Sequence, residues 1–290
     1  MEQLAQHMAN AVILGSSYAI LGIGLTLIFG IMRVVNFTHG EVYALGGYSA
    51  YVVSSVLGLN FFLTLPMSIL VGAVMGAAIE FVLLRRIRTS DIDTGMLVMI
   101  GAGIIILNTI QLIWGGVAKS VHTPFSDVPV TFGPVSVSSL RLFVLVAASV
   151  LIVATYVLIN ETKLGKAMRA TFQDTDAAAL MGVNIGAIHT ATFAIGSSLA
   201  AAAGALLGPV FLVMPSMGNM AALKAFAIVI LGGLGSIPGA TIGGFILAFS
   251  EELGAGYVSS GYRDAMGFLI IIAVLLVKPT GLFARSERVG

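Results

Sequence analysis

Two long stretches without a single Asp, Glu, Lys or Arg, Met8 to Met32 and Val42 to Ile79, limit what this chain can fold into. A helix of about 20 apolar residues crosses roughly 30 Å of hydrocarbon, and lipid tolerates only backbones that satisfy their own hydrogen bonds. The rest of the chain agrees: 58% of residues are hydrophobic, 9% are charged, and the mean hydropathy is +1.05. The short alternating segments of a transmembrane β-barrel are missing from the sequence. The expectation is an all-α polytopic membrane protein, a single transmembrane domain over residues 1–290 with about seven or eight crossing helices.

Crossings are predicted near 8–30, 41–57, 61–84, 94–114, 141–160, 188–212 and 264–278. The segment 223–250 differs. It is uncharged between Lys224 and Glu251 but interrupted by Gly232, Gly233, Gly235, Pro238 and Gly239. A Gly/Pro-broken helix or a re-entrant hairpin fits it better than one straight span. No signal peptide is expected, because the first apolar run is too long and no strongly basic region precedes it. Zero cysteines exclude disulfides and thiolate chemistry. A net charge of +1 without a basic patch gives no reason to expect a nucleic-acid partner.

Basic residues set the orientation. If Arg85, Arg86 and Arg88 are cytoplasmic, the same side holds Arg33, Lys163, Lys166, Arg169, Lys278, Arg285 and Arg288, which is 10 of the 14. Lys119, Arg141, Lys224 and Arg263 fall outside. The N-terminus is then outside and the C-terminus inside, provided 223–250 enters and leaves on the outer face. The outer (periplasmic) loop, 115–140, has Pro124, Pro129, Gly133 and Pro134 among Val and Thr, and is predicted to hold a small hairpin. Small residues recur at four-residue spacing, Gly196, Ala200, Gly204, Gly208 and again Gly235, Gly239, Gly243, which suits close helix packing.

Between the first two apolar runs lies a polar island, Arg33 to Glu41. Ionisable groups at such a place face a bundle interior, a water path or an interface. Three readings stand. His39 and Glu41 form a proton relay; or they line a polar pathway with Asn36 and Thr38; or Asn36 or Thr38 caps a helix starting near Gly40, with Glu41 in its first turn. An intramembrane hydrolase is the enzyme alternative, with Ser16, Ser17, Ser197 or Ser198 as nucleophile and His39 or His189 as base. The four scattered histidines lack metal-ligand spacing. No phosphate-binding loop motif occurs, so the chain cannot be its own P-loop ATPase.

The inner loop, 160–187, is the longest polar stretch. Asp174 is placed to cap a short helix over about 175–181, Asp176 suits its first turn, and Gly182 followed by Val183 reads as its terminator. That helix is mostly apolar (Ala177, Ala178, Ala179, Leu180, Met181), so lipid or a partner's groove must cover it. Asn184 is placed to cap the next membrane helix.

Asn36-Phe-Thr-His-Gly-Glu-Val-Tyr-Ala-Leu-Gly-Gly-Tyr48 resembles the signature of the branched-chain amino acid ABC transporter permeases, LivH type. Lys163-Leu-Gly-Lys-Ala-Met-Arg-Ala170, Asp176-Ala-Ala-Ala-Leu-Met-Gly-Val-Asn184, Leu231 to Ala240 and Lys278-Pro-Thr-Gly-Leu-Phe283 resemble further stretches of the same family, in the right order. Lys166 stands where the family commonly has Arg. The resemblance implies a type II ABC importer of the bacterial inner membrane. This chain and a LivM-like second permease would form the path. Two ATP-binding subunits would hold ATP and Mg, and a periplasmic or lipid-anchored binding protein would deliver an amino acid. The permease itself would have no enzymatic activity and bind no cofactor. Lys166, Arg169, Asp174, Asp176, Ala177, Ala178 and Gly182 would then couple to the ATPase. Asn36, Thr38, His39, Glu41, Gly232, Gly233, Gly235 and Pro238 would mark the translocation path.

Overall fold

The computed structural model describes residues 2–87, 92–125, 129–133 and 135–283. Arg88, Pro134, Arg285 and Arg288, used above for the charge count and the outer loop, lie outside these residues.

The first helix, α1 (Glu2–Met32), is apolar all round, and such a helix belongs inside a bundle rather than at its surface. It is enclosed by α5 (Ser139–Glu161), α8 (Ile185–Phe211), α9 (Met217–Gly232) and α10 (Ile237–Tyr257). Its most apolar window is 89% buried in protein, against 11% for the window that includes α11 (Arg263–Val277). The second apolar run is divided by Gly58-Leu59-Asn60 into α2 (His39–Tyr51), prolonged by a π-helical turn at Val52–Val56, and α3 (Thr64–Ala78). A 3₁₀ turn at Phe61–Leu63 and turns running to Arg86 extend α3 into one long span. Next comes α4 (Ile92–Trp114), with large apolar residues such as Leu97, Ile105 and Leu112 exposed in the isolated chain.

Strands β1 (Pro129–Phe132) and β2 (Val135–Ser138) pair antiparallel, the hairpin expected in the outer loop. Among the described residues six helices are long and apolar enough to cross a membrane alone, and α9 with α10 adds a pair bent by 119°. The bend spans Gly233 to Ser236, where Gly233 and Gly235 take φ of 93° and 80°. Pro238 sits in the first turn of α10, where its missing N–H does no harm. The Ser236 hydroxyl accepts from the Gly239 N–H at 3.1 Å and caps the helix. The break expected from the sequence is therefore present.

The glycine stripes lie where helices touch. A Cβ on Gly204 would stand 1.9 Å from the Tyr43 carbonyl oxygen, so α2 and α8 meet backbone to backbone. Two ends of the bundle are distinct. Gly30 of α1, the bend at Gly235 and Phe172 of α6 (Lys163–Gln173) gather at one; His7, Gly256, the hairpin and Arg141 gather at the other.

Candidate functional site

The polar island is not a straight connector. At the end of α1, Arg33 adopts φ of 54° and turns the chain back on itself. Residues 34–38 climb back alongside α1, and α2 begins at His39, whose Nε2 lies 3.0 Å from the Leu21 carbonyl oxygen. Leu21 stands eleven residues before the last residue of α1, so at 1.5 Å per residue the His39 ring meets α1 about 16 Å back from its end. Asn36, Thr38 and His39 are fully buried, and Glu41 nearly so.

The expected cap is not formed. Asn36 Oδ1 accepts from the Thr38 N–H at 3.0 Å and from the Thr38 hydroxyl at 2.6 Å. Both side chains are thus consumed in an Asx-type turn, and Thr38, at the N-cap position, makes no side-chain bond to the helix. The N-terminus of α9 also lacks a side-chain cap. The two ends touch: a Cβ on Gly40 would lie 2.1 Å from the Gly218 carbonyl oxygen, and one on Gly218 would lie 2.9 Å from Glu41 Oε2. Two uncapped helix starts and one carboxylate therefore meet inside the bundle. Asn36 Nδ2, His39 Nδ1 and Glu41 Oε2 are buried without a hydrogen-bond partner among the described residues, as are the hydroxyls of Ser17, Thr26 and Ser197. Such unpaired groups in an apolar interior are expensive.

His39 and Glu41 share no hydrogen bond among the described residues, so no relay is assembled between them. Ser16 donates to Ile13 O, and Ser198 to Ala194 O and Ile69 O, each a backbone acceptor. No serine is hydrogen-bonded to a histidine side chain among the described residues.

Gly232, Gly233, Gly235 and Pro238 are not brought to the island's buried core. They lie at the end of α1, where a Cβ on Gly235 would meet Phe172 and Gly30. The Leu282 and Phe283 N–H groups donate to Leu231 O and Gly232 O, closing the C-terminal stretch over the bend.

At this same end, α7 (Thr175–Leu180) follows the sequence expectation closely. Asp174 Oδ1 accepts from the Ala177 N–H at 2.9 Å. Gly182, at φ of 87°, donates to Ala179 O, and Val183 donates to Ala178 O, a Schellman stop. Asn184 Oδ1 accepts from the Ala187 N–H at 3.1 Å and caps α8. Ala178 packs inward, whereas Leu180 and Met181 are 89% and 86% exposed. Lys166 is exposed, but the Arg169 guanidinium is half-buried and donates to Ile159 O, which braces α6 against α5. A cavity of about 360 Å³ separates the end of α1 from the α6–α7 junction, lined by Arg33, Phe172, Asp174 and Asp176 among others.

One buried cluster escaped the sequence reading. Lys224 was expected on the outer side, at the head of the broken segment 223–250; α9 in fact starts at Met217, so Lys224 lies two turns into a helix. Its Nζ donates to Tyr18 OH at 2.8 Å and pairs with Glu251 Oε2 at 2.8 Å and Asp264 Oδ1 at 2.9 Å. Arg263 pairs with Glu252 nearby. The available signal was that Lys224 and Glu251 alone bound an otherwise uncharged run.

Residues 7–275 match the family described as branched-chain amino acid transport system / permease component. The chain is 36% identical to the high-affinity branched-chain amino acid transport system permease protein LivH of Escherichia coli K12, over 97% of this chain and 96% of that one. It is 33% identical to BraD of Pseudomonas aeruginosa over 97% and 96%. To the LivM permease of Escherichia coli K12 it is 26% identical, over 93% and 68%. PsaBC from Streptococcus pneumoniae, solved in complex with Fab, shares the fold at a TM-score of 0.51 and 12% identity, covering all of this chain and 94% of that one. With this family match and these relatives along nearly its whole length, the chain belongs to the branched-chain amino acid transport permeases and is a multi-pass membrane protein of the LivH kind.

Proposed function

We propose that this chain is one of two membrane subunits of a bacterial ABC importer for branched-chain amino acids, working beside a LivM-like permease. Its N-terminus faces the outside of the inner membrane, and α7 and the C-terminus face the cytoplasm. A periplasmic or lipid-anchored binding protein delivers the amino acid. Two ATP-binding subunits, which hold ATP and Mg, supply the energy, and this chain performs no chemistry of its own.

The observation that carries the energy-coupling part is α7. A six-residue helix fixed at both ends, by Asp174 and by the Gly182 stop, presents Leu180 and Met181 outward. Fixed ends make it a rigid lever, and exposed apolar side chains at the water face call for a partner's groove. ATP-driven closure of that partner would move α7, and the packed helices around α1 would pass on the displacement as a two-state motion. The uncapped starts of α2 and α9, with Asn36, His39 and Glu41, supply a polar break in the apolar bundle along which a zwitterion passes.

The test is uptake by the reconstituted complex. Asp176→Lys and Gly182→Val are expected to abolish ATP-driven branched-chain amino acid uptake while the chain still inserts and assembles with its permease partner. Normal uptake by both variants would sink the coupling assignment.

A further inference from the structure

The cavity at the foot of α1 has a composition that the coupling role of α7 does not require. Its walls come from three places: the last turn of α1 with Arg33, the α6–α7 junction, and His189 of α8. It is an open cleft of about 360 Å³, with Arg33, Asp174 and Asp176 exposed along it. Arg33 stands on one wall and Asp174 and Asp176 on another, yet among the described residues none of these carboxylates comes within 4.0 Å of Arg33. Opposite charges that line one cavity without closing on each other leave room for a guest bearing both. Asp174 spends an oxygen on the α7 cap, so Asp176 is the freer acid. Ile31, Met32 and Phe172 give the same cavity an apolar side.

The φ of 54° at Arg33 is the left-handed turn that commonly ends a helix, here on a residue other than glycine, and it sets Arg33 at the C-terminal end of α1. From Arg33 the chain runs directly to the buried break at Asn36–Glu41.

We propose that this cavity is an inner-face binding site for a free apolar α-amino acid, the product of import. Its carboxylate sits on Arg33, its ammonium on Asp176, and its side chain against Ile31, Met32 and Phe172. The assignment rests on the importer reading given above. An occupant would bridge α1 to the hinge that carries α7, so product would hold the coupling element still. The ATPase rate of the complex would then fall as the amino acid rises on the cytoplasmic side.

The experiment uses the complete complex of both permeases and both ATP-binding subunits, without the binding protein, in nanodiscs free of amine-bearing lipid. Equilibrium binding of radiolabelled L-leucine is measured for wild type, Arg33→Gln and Arg33→Lys. Saturable binding is expected in wild type, at least tenfold weaker in Arg33→Gln and partly restored in Arg33→Lys. Isovalerate and isoamylamine, each holding one half of the zwitterion, should compete poorly. Co-purification with the ATP-binding subunits and an unchanged melting midpoint certify that the variants are folded. Equal binding by Arg33→Gln, or equal competition by either half-ligand, overturns the site. ATP-driven leucine uptake by the wild-type complex with its binding protein, accompanied by no leucine binding in the nanodisc assay, overturns the site alone. Absence of both uptake and binding overturns the underlying function and the site with it.

Discussion

Replacing Lys224 with methionine tests the largest electrostatic commitment in the bundle. The lysine side chain is 14% exposed and Glu251 only 1%, while Asp264 is 46% exposed. Removing the ammonium leaves Glu251 with the Tyr18 hydroxyl, 2.9 Å away, as its remaining partner. Breaking a buried pair by deleting one member costs about 3–5 kcal/mol, because the other charge stays buried and uncompensated. The share owed to Asp264 is discounted heavily, since water screens a half-exposed carboxylate. The lower end of that range, about 3 kcal/mol, is therefore expected. For a chain of this length roughly 2 °C accompanies each kcal/mol, so the melting midpoint should drop by about 6 °C. Intrinsic fluorescence reads the transition, since Trp114, the single tryptophan, stacks on Tyr48 with ring centres 4.9 Å apart. Adding Glu251→Gln to Lys224→Met should recover at least half of the loss, the signature of coupled charges in a double-mutant cycle. A Lys224→Met variant that melts like wild type, or a double variant whose loss equals the sum of the two singles, would refute the reasoning.

Other outcomes follow from the same packing. Gly204→Val places a side chain on the Tyr43 carbonyl and should destabilise by about 1–3 kcal/mol or prevent folding. Gly101→Ala on α4, where nothing stands within 4 Å, should be neutral to slightly stabilising in the same melting assay. Asp174→Ala removes the α7 cap, about 1 kcal/mol, and should raise amide hydrogen exchange across residues 175–180 without touching that of α1. Leu180→Asp with Met181→Asp changes two side chains that are 89% and 86% exposed, so folding should persist while co-purification with the ATP-binding subunits is lost. Retained co-purification would place the docking surface elsewhere.

Local signals carried a good part of the fold. The caps at Asp174 and Asn184, the Gly182 stop, the break near Gly233 and the hairpin between Pro129 and Ser138 each depend on a few neighbouring residues, and each formed as expected. The long helices lie where apolar runs reach a membrane's thickness, because length and hydropathy are properties of the segment itself. The crossing expected over 41–57 is instead the 13-residue α2 with its π turn and is not among them.

Depth within the bundle is a different kind of property. Arg33 to Glu41 looked like the mouth of a path because it is polar and lies between two spans. Yet the chain re-enters the protein after Arg33, and His39 finishes beside Leu21 rather than beside Met32. Nothing in the island's own composition fixes that return. It depends on the glycines of other helices, with Gly24 on α1 leaving space for the His39 ring and Gly218 on α9 admitting Glu41. Lys224 shows the same dependence in reverse. Its own neighbours in sequence name no partner, and only the return of α10 brings Glu251 to it from 27 positions away. Where a polar side chain in a membrane bundle ends up is thus decided by which distant small residues make room and which distant charges make pairs. In this chain those two kinds of residue surround the buried start of α2 and the buried cation of α9.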